Sequence, residues 1–457
     1  WVSTVWDMDF TETEPLDSWI EEQITAEGPD TFICLYNALL PFAARDPENN
    51  ENIWTILADN SPSPQAIVAV LHHFVHTGQH KKADAQQRVY GLHAAGLYFL
   101  LLEIPGSIAN WMFHQVMFDK CLYTLTKCWP QELRKRKAHA QSSQTKPKRN
   151  TKKGKRCRND LSMEEILEEE EEDDENVYLS TEDLLQVRNA IFLLLKNFLR
   201  LLPKFSLKEK HQCVQNCVQV FVELTSVEPA ECEFQFSSAM DINKAKYIPE
   251  LAYYGLHSLC SPFHGTVDET LRSIFQRLLN VVLMVEGGGG SIREVLPIIS
   301  AVTSARNQAI KFISSLVDEL KEVVFPVLRI LLQHMCVKVP DKADYRTYAA
   351  QAVVTLMNKF PCVEFASFIS WLYKFSLNDT SYRVFALDVA FALLDVPERN
   401  PDSSLSLDQQ KFLKHKFLVQ VMVFGRCSDK APTVRSKALS SFAQCLETKS
   451  AVTLDSI

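Results

Sequence analysis

Glycine is scarce in this chain, 13 of 457 residues, and runs of strict apolar–polar alternation are rare. A turn-rich β-sandwich or barrel needs more of both, so helices are the expectation. Nowhere do the roughly 20 consecutive apolar residues of a membrane span occur. The best stretch, Ile191 to Leu202, is interrupted by Lys196, Asn197 and Arg200. No signal peptide is visible. The 12 cysteines include no CxxC pair, and the closest two, Cys213 and Cys217, share one helical face. Free, mostly buried thiols in a reducing compartment are expected, which points to cytosol or nucleus. The run Gly287 to Gly290 is followed by Ser291, Ile292 and Arg293, not by the Lys-Ser or Lys-Thr of a phosphate loop, so it is expected to be a loop between helices. No Ser/His/Asp or Cys/His set can be assembled from spacing. Neither catalysis nor a cofactor is expected.

What is present is apolar bulk: 46% hydrophobic residues, with 27 phenylalanines. The length exceeds what one compact core usually holds, so several domains or an extended architecture are expected. The first residue, Trp1, and the pattern reaching Ile457 suggest a piece of a longer polypeptide. The clearest boundary is compositional. Arg134 to Arg158 carries 12 Lys or Arg and no acid, and Asp160 to Glu175 carries 11 Asp or Glu and no base. Such blocks bury too little to repay the entropy of ordering. The sequence thus divides into a helical lobe at 1–132, a disordered basic-then-acidic linker at 133–178 and a repeat solenoid at 179–457. The two blocks nearly cancel, so the folded remainder is acidic, and any nucleic-acid contact must use a local basic patch. Within the lobes, breaks are expected at Pro105-Gly106, Pro203, Pro229, Pro262, Gly287 to Gly290, Pro340, Pro361, Pro397 and Pro432.

The most informative pattern is a repeat. An Arg is followed by a small residue at +3 and core-type residues at +6, +7 and +10, all on one stripe of a helix. Arg306 precedes Ala309, Phe312, Ile313 and Leu316; Arg346 precedes Ala349, Ala352, Val353 and Leu356. Arg383 precedes Ala386, Val389, Ala390 and Leu393; Arg435 precedes Ala438, Ser441, Phe442 and Cys445. Arg88 precedes Gly91, Ala94, Ala95 and Tyr98, and Arg188 precedes Ile191, Leu194, Leu195 and Phe198. From Arg306 onward the steps are 40, 37 and 52 residues, which bracket the roughly 40–47-residue period of HEAT and armadillo arrays. The small residue lets a partner helix approach closely. The Arg, in the first turn, can reach an acid or carbonyl of the neighbouring repeat. Before Arg435, Asp429 is expected to cap the turn and Pro432 to end the preceding helix, with Val434 opening the buried stripe. The segment 205–290 fits poorly: Pro249 stands where an Arg would be, ahead of Ala252, Gly255, Leu256 and Leu259. The fold class expected is all-α, an α-solenoid of HEAT-type hairpins with a charged linker.

Three groups of polar residues stand out. His72, His73, His76 and His80 include two i,i+4 pairs able to face a metal, but the Glu that follows the first His of a zinc-protease helix is replaced by His73, and Gly78 weakens the helix. A surface or packed helix end is the plainer reading, and no metal is assigned. In the linker, Arg134, Lys135, Arg136, Lys137, Lys148, Arg149, Lys152, Lys153, Lys155 and Arg156 fit a nuclear-localisation signal or a nucleic-acid tail; the plainer reading is a solvated spacer. Lys411, Lys414, His415 and Lys416, with Lys430 and Lys437 following, are candidate DNA contacts, Lys411 and Lys414 being expected on one helix face. A soluble outer face explains them equally well.

These repeats also carry a likeness. YGLHAAGLYFLLLEIPGSIAN from Tyr90, RNAIFLLLKNFLRLLPKFSLKEK from Arg188, AKYIPELAYYGL from Ala245, SSLVDELKEVVFPVLRILLQHMC from Ser314, KFLKHKFLVQ from Lys411 and DKAPTVRSKALSSFAQCLE from Asp429 resemble the N-terminal part of the D-type HEAT-repeat subunits of vertebrate condensin II. The resemblance runs the length of the chain. It implies an α-solenoid scaffold, without enzymatic activity of its own, that binds the complex's kleisin and through it the SMC ATPase heterodimer. It also implies a second HEAT subunit, DNA and histones as partners, and a place in the nucleus and on mitotic chromosomes, with no membrane and no small-molecule substrate. The expected mechanism is docking of an extended or helical peptide along a concave face. The alternatives are a nuclear-transport or phosphatase-scaffold solenoid, and a metalloenzyme using the histidine cluster.

Overall fold

The computed structural model describes residues 1–11, 14–28, 30–44, 52–60, 63–130, 177–228, 234–286, 294–448 and 451–457. The ten linker cations named above, the Pro229 break and the Gly287 to Gly290 run lie outside the described residues. Among the described residues the chain is helical; a single antiparallel bridge, Val285 to Val295, is the one trace of β pairing. None of the described helices is long and apolar enough to cross a membrane. Two compact units form, Trp1–Leu201 and Leu202–Ile457.

The first unit contains α1 (Val2–Asp7), α2 (Ser18–Thr25), α3 (Thr31–Ala43), α4 (Ile53–Asp59), α5 (Pro64–Gly78), α6 (Ala85–Glu103), α7 (Gln115–Lys127) and α8 (Thr181–Leu201). Helix α6 is apolar around its whole circumference and is buried from Val89 to Glu103 except at His93. Helices α3, α5, α7 and α8 cover it on all sides, the arrangement such a sequence requires. Asp84 starts it with a capping box, its carboxylate accepting the Gln87 N–H at 2.8 Å. Helices α5 and α6 cross at two glycines. A Cβ on Gly78 would lie 2.7 Å from the Gln87 carbonyl oxygen, and one on Gly91 would lie 3.0 Å from the Phe74 carbonyl oxygen. The small residue at +3 from Arg88 is therefore required by close packing.

The sequence division places 181–201 in the second lobe; the structure packs this helix in the first. Phe198 of α8 sits between Phe99 and Phe118, with ring centroids 4.7 and 5.9 Å away. Its Asn197 accepts hydrogen bonds from Tyr36 at 3.1 Å and Arg200 at 2.9 Å. The buried face of α6 needs a cover that α7 alone does not give, and α8 supplies it.

The second unit runs through α9 (His211–Leu224), α10 (Ile248–Leu259), α11 (Val267–Leu283), α12 (Ser300–Leu320), α13 (Phe325–Lys338), α14 (Ala343–Met357), α15 (Cys362–Phe375), α16 (Thr380–Leu393), a π-helical segment (Phe417–Val423) and α17 (Pro432–Thr448). Its hairpins stack as an α-solenoid does: α12 lies beside α14, α14 beside α16 and α16 beside α17. The stripes after Arg306, Arg346 and Arg383 are all 0–2% exposed. After Arg435, Ala438, Ser441 and Cys445 are buried, whereas Phe442 is half-buried against Phe424 at 5.4 Å. The poorly matching α10 follows the same burial. Ala252, Leu256 and Leu259 are fully buried, and Pro249 occupies the first turn, where its missing N–H costs nothing.

Gly255 of α10 meets the ring of Phe221 on α9, and a Cβ there would lie 2.5 Å from the ring carbon Cζ. Replacing Gly255 by Ala should cost about 1–3 kcal/mol through overpacking, despite the better helix propensity of Ala. A lowered thermal midpoint of the full chain checks this; an unchanged or raised midpoint would contradict the close approach.

Candidate functional site

The repeated arginines form the best-defined polar array of the second unit. Arg306, Arg346 and Arg383 lie in or near the first turns of their helices and reach forward, because the small residue at +3 brings the next helix close. Arg306, 5% exposed, donates to the Tyr348 carbonyl of α14 at 2.5 Å and lies over the Tyr348 ring at 5.0 Å. Burial lowers its pKa from the ordinary arginine value. Arg346 pairs with Asp341 at 2.6 Å in its own turn and with Asp388 of α16 at 3.2 Å. Asp388 also receives Lys437 of α17 at 2.6 Å, so one buried carboxylate ties α14, α16 and α17 together. Arg383 meets Asp429 in the next repeat at 3.2 Å.

Asp429 caps its turn as the sequence suggests, accepting the Ala431 N–H at 2.9 Å, and also takes Arg426 at 3.3 Å. Burial alone would raise its carboxyl pKa. The Ala431 N–H and the guanidiniums of Arg383 and Arg426 outweigh burial and hold the pKa below the usual carboxylate range. Pro432 opens α17, and Val434 is fully buried. Arg435 departs from the expected reach. It turns back to the carbonyls of Asp429 and Lys430, at 2.7 and 3.0 Å, within its own repeat. In the first unit Arg88 repeats the device with carbonyls alone, while Arg188 lies over Phe192 at 4.9 Å.

Two members of this array were not singled out from sequence. Asp388 sits inside the apolar stripe that follows Arg383, and a lone acid in a buried stripe is the signal that marks it. Arg399 closes the C-terminal end of α14. It donates to the carbonyls of Asn358 at 2.9 Å, Met357 at 3.3 Å and Phe360, and stacks on Phe365 at 4.2 Å. It follows no repeat spacing, so only the packing reveals it.

The basic cluster is divided by the fold. Lys411 and Lys414 do not share a helix face. A one-turn helix at Leu407–Gln410 passes through a 3-10 turn at Lys411–Leu413, and Lys414 is extended, with φ −105° and ψ 139°. Glu398 enforces the break by taking the Lys414 ammonium at 3.1 Å and the His415 N–H at 2.8 Å. His415 is buried between the Val396 carbonyl and Thr453. Lys414 and Lys437 are thus ion-paired, while Lys411, Lys416 and Lys430 are exposed.

The histidines do not converge either. His72 is buried; its Nε2 faces the Lys120 ammonium at 3.1 Å, and its ring stacks on His76 at 5.9 Å. Burial and then Lys120 push its pKa down to about 3. His73 turns to Glu21 at 3.2 Å, and His80 accepts the Lys82 N–H at 3.3 Å. A metal ion at His72 would have to displace an ammonium. Among the described residues no three His, Cys, Asp or Glu side chains gather to hold a metal.

Exchanging Asp429 for Asn keeps the shape and removes the charge. A buried ion-paired group of this kind is worth about 1–3 kcal/mol. Because its native pKa is lowered, the contribution is full above the unfolded-state value of about 3.9 and fades as pH falls below it. Denaturant unfolding should therefore show Asp429→Asn destabilised at pH 7, with the gap to the parent narrowing below about pH 4. A gap independent of pH would exclude the charge as its source.

Comparison with known proteins agrees with this architecture. Residues 1–202 match the family model described as the N-terminal domain of condensin-2 complex subunit D3-like proteins, ending one residue past the first compact unit. Condensin-2 complex subunit D3 of Mus musculus is 55% identical over 463 residues, covering 100% of this chain and 31% of the mouse protein. Subunit D3-L of Xenopus laevis is 57% identical over 462 residues, again covering 100% of this chain and 31% of the relative. Subunit CAP-D3 of Arabidopsis thaliana is 30% identical over 132 residues, 28% of this chain and 9% of that protein. The chain spans about a third of the length of its vertebrate relatives. With a family domain filling its first unit and identity above one half carried through both units, the chain belongs to the D3-type subunits of condensin-2.

Proposed function

We propose that this chain is a non-catalytic scaffold region of a condensin-2 subunit. In this reading it holds the kleisin of the complex and through it the SMC ATPase heterodimer. It works beside the second HEAT subunit and helps engage DNA and histones on mitotic chromosomes in the nucleus. One observation supports this most: the cross-repeat ties of Arg306, Arg346, Arg383 and Asp388 hold successive hairpins of the second unit in fixed register. A stack so braced keeps a long surface preorganised, and preorganisation lowers the cost of ordering a bound peptide. Asp388 and Asp429 already hold the cations that brace the stack, which leaves recognition to exposed faces. Lys411, Lys416 and Lys430 are the cations of the basic cluster still free to meet phosphates. The linker cations, Arg134 to Arg156, serve in this reading as a nuclear-import or DNA-contact segment.

Co-expression of the chain with the condensin-2 kleisin should give a complex that survives size-exclusion chromatography. Asp429→Asn, which loosens the bracing, should weaken it several-fold in titration at pH 7. Retention of a transport GTPase in place of the kleisin, or of neither, would overturn the scaffold assignment.

A further inference from the structure

We infer that the 79–84 loop and the C-terminal end of α7, in the first unit, form a docking surface for nucleic-acid phosphates. This deepens the DNA-engagement reading above and rests on it, but uses residues apart from the 411–437 cluster. The arrangement centres on Arg88. Its buried guanidinium donates through Nε to the Ala83 carbonyl at 3.0 Å and through Nη2 to that of Lys81 at 3.1 Å. Through Nη1 it reaches those of Cys128 at 3.0 Å and Lys127 at 3.4 Å. One side chain thus ties a loop to a helix end more than 40 positions away and gathers Lys81, Lys82 and Lys127 around it. All three lysines are exposed, and none pairs with a carboxylate among the described residues.

Helix C-termini normally present free carbonyls that repel anions. Here the outermost of those groups are occupied. Arg88 takes the carbonyls of Lys127 and Cys128, and the Cys128 thiol takes that of Gly78 at 3.3 Å. Asp84, the acid of the loop, is turned into the cap of α6. His76 is held below its usual pKa by burial and then by Lys120, His73, His80 and Lys127, with no acid opposing them. Lys127 also offsets the negative end of α7, a task one cation meets, whereas Lys81 and Lys82 lie outside any helix.

An acidic peptide is the less suitable occupant. Protein partners need apolar anchors at the centre of an interface. None of the exposed large apolar side chains of the described residues lies on α5, the 79–84 loop, α6 or α7. Phosphate recognition needs only the ammonium groups. In a chain of formal charge −8, such a concentration is a local exception.

The test uses the full chain and a fluorescent 30-base-pair duplex of mixed sequence, titrated over a range of potassium chloride concentrations. The variant Lys81→Glu/Lys82→Glu/Lys127→Glu should bind every duplex more weakly, with the slope of log affinity against log salt reduced by roughly 2–3, about 0.9 for each phosphate that a lysine no longer neutralises. Its far-ultraviolet circular dichroism melt should match the parent, since Arg88 is untouched, and kleisin capture should persist. An unchanged affinity and slope would overturn the inference. So would loss confined to Lys411→Glu/Lys416→Glu/Lys430→Glu, which would leave the broader DNA reading standing. Loss of polyglutamate binding with duplex binding intact would assign the surface to an acidic protein instead. Absence of duplex binding by the parent would overturn both readings.

Discussion

A guanidinium answered by an acceptor on the next helix is the interaction on which the second unit depends. Apolar burial drives the hairpins together, but it is non-directional and tolerates sliding. Arg346 and Lys437 meeting on Asp388, and Arg383 meeting Asp429, remove that freedom. Each buried charge must keep its partner or leave an unpaired ion in a poorly hydrated setting. Register is therefore enforced by the penalty for misalignment more than by the strength of the pairs themselves. The same logic explains why the small residue at +3 is needed, since a bulkier one would hold the next helix beyond reach of the guanidinium.

The first unit solves a different problem with related parts. Its centre is a single helix, α6, hidden on all sides, and Arg88 serves it by gathering carbonyls instead of carboxylates. Burial lowers the pKa of this guanidinium from the ordinary value, with Cys128 and Asp84 opposing that shift only in part. Carbonyl partners satisfy its donors without neutralising it. In the second unit Arg346, Arg383 and Lys437 cancel against carboxylates, while Arg306 and Arg399, like Arg88, meet carbonyls.

Much of this was legible beforehand. The positions that repeat after Arg306, Arg346 and Arg383 are buried as their spacing implies, because helical periodicity alone places them on one stripe. Asp429, Pro432 and Val434 act locally, within a few residues, and local chemistry is what sequence reports best. The basic cluster was less legible. Its split at Lys414 comes from Glu398, which lies before the one-turn helix and reaches Lys414 only after the chain folds back. The limit of the first unit was hidden for a similar reason. A charged linker is conspicuous in composition, yet α8, beyond it, packs on α6.

The amino-acid order by itself determined the helical class, the period of the repeat, the buried stripes and the arginines that open them, since each follows from spacing along one helix. The partners were decided only by tertiary structure: Asp388 for Arg346 and Lys437, the α14 carbonyls for Arg399, the ammonium of Lys120 for His72. These choices depend on which helices stand within a few ångströms of each other. That distance is set by the packing of side chains tens of residues apart, which no local spacing encodes.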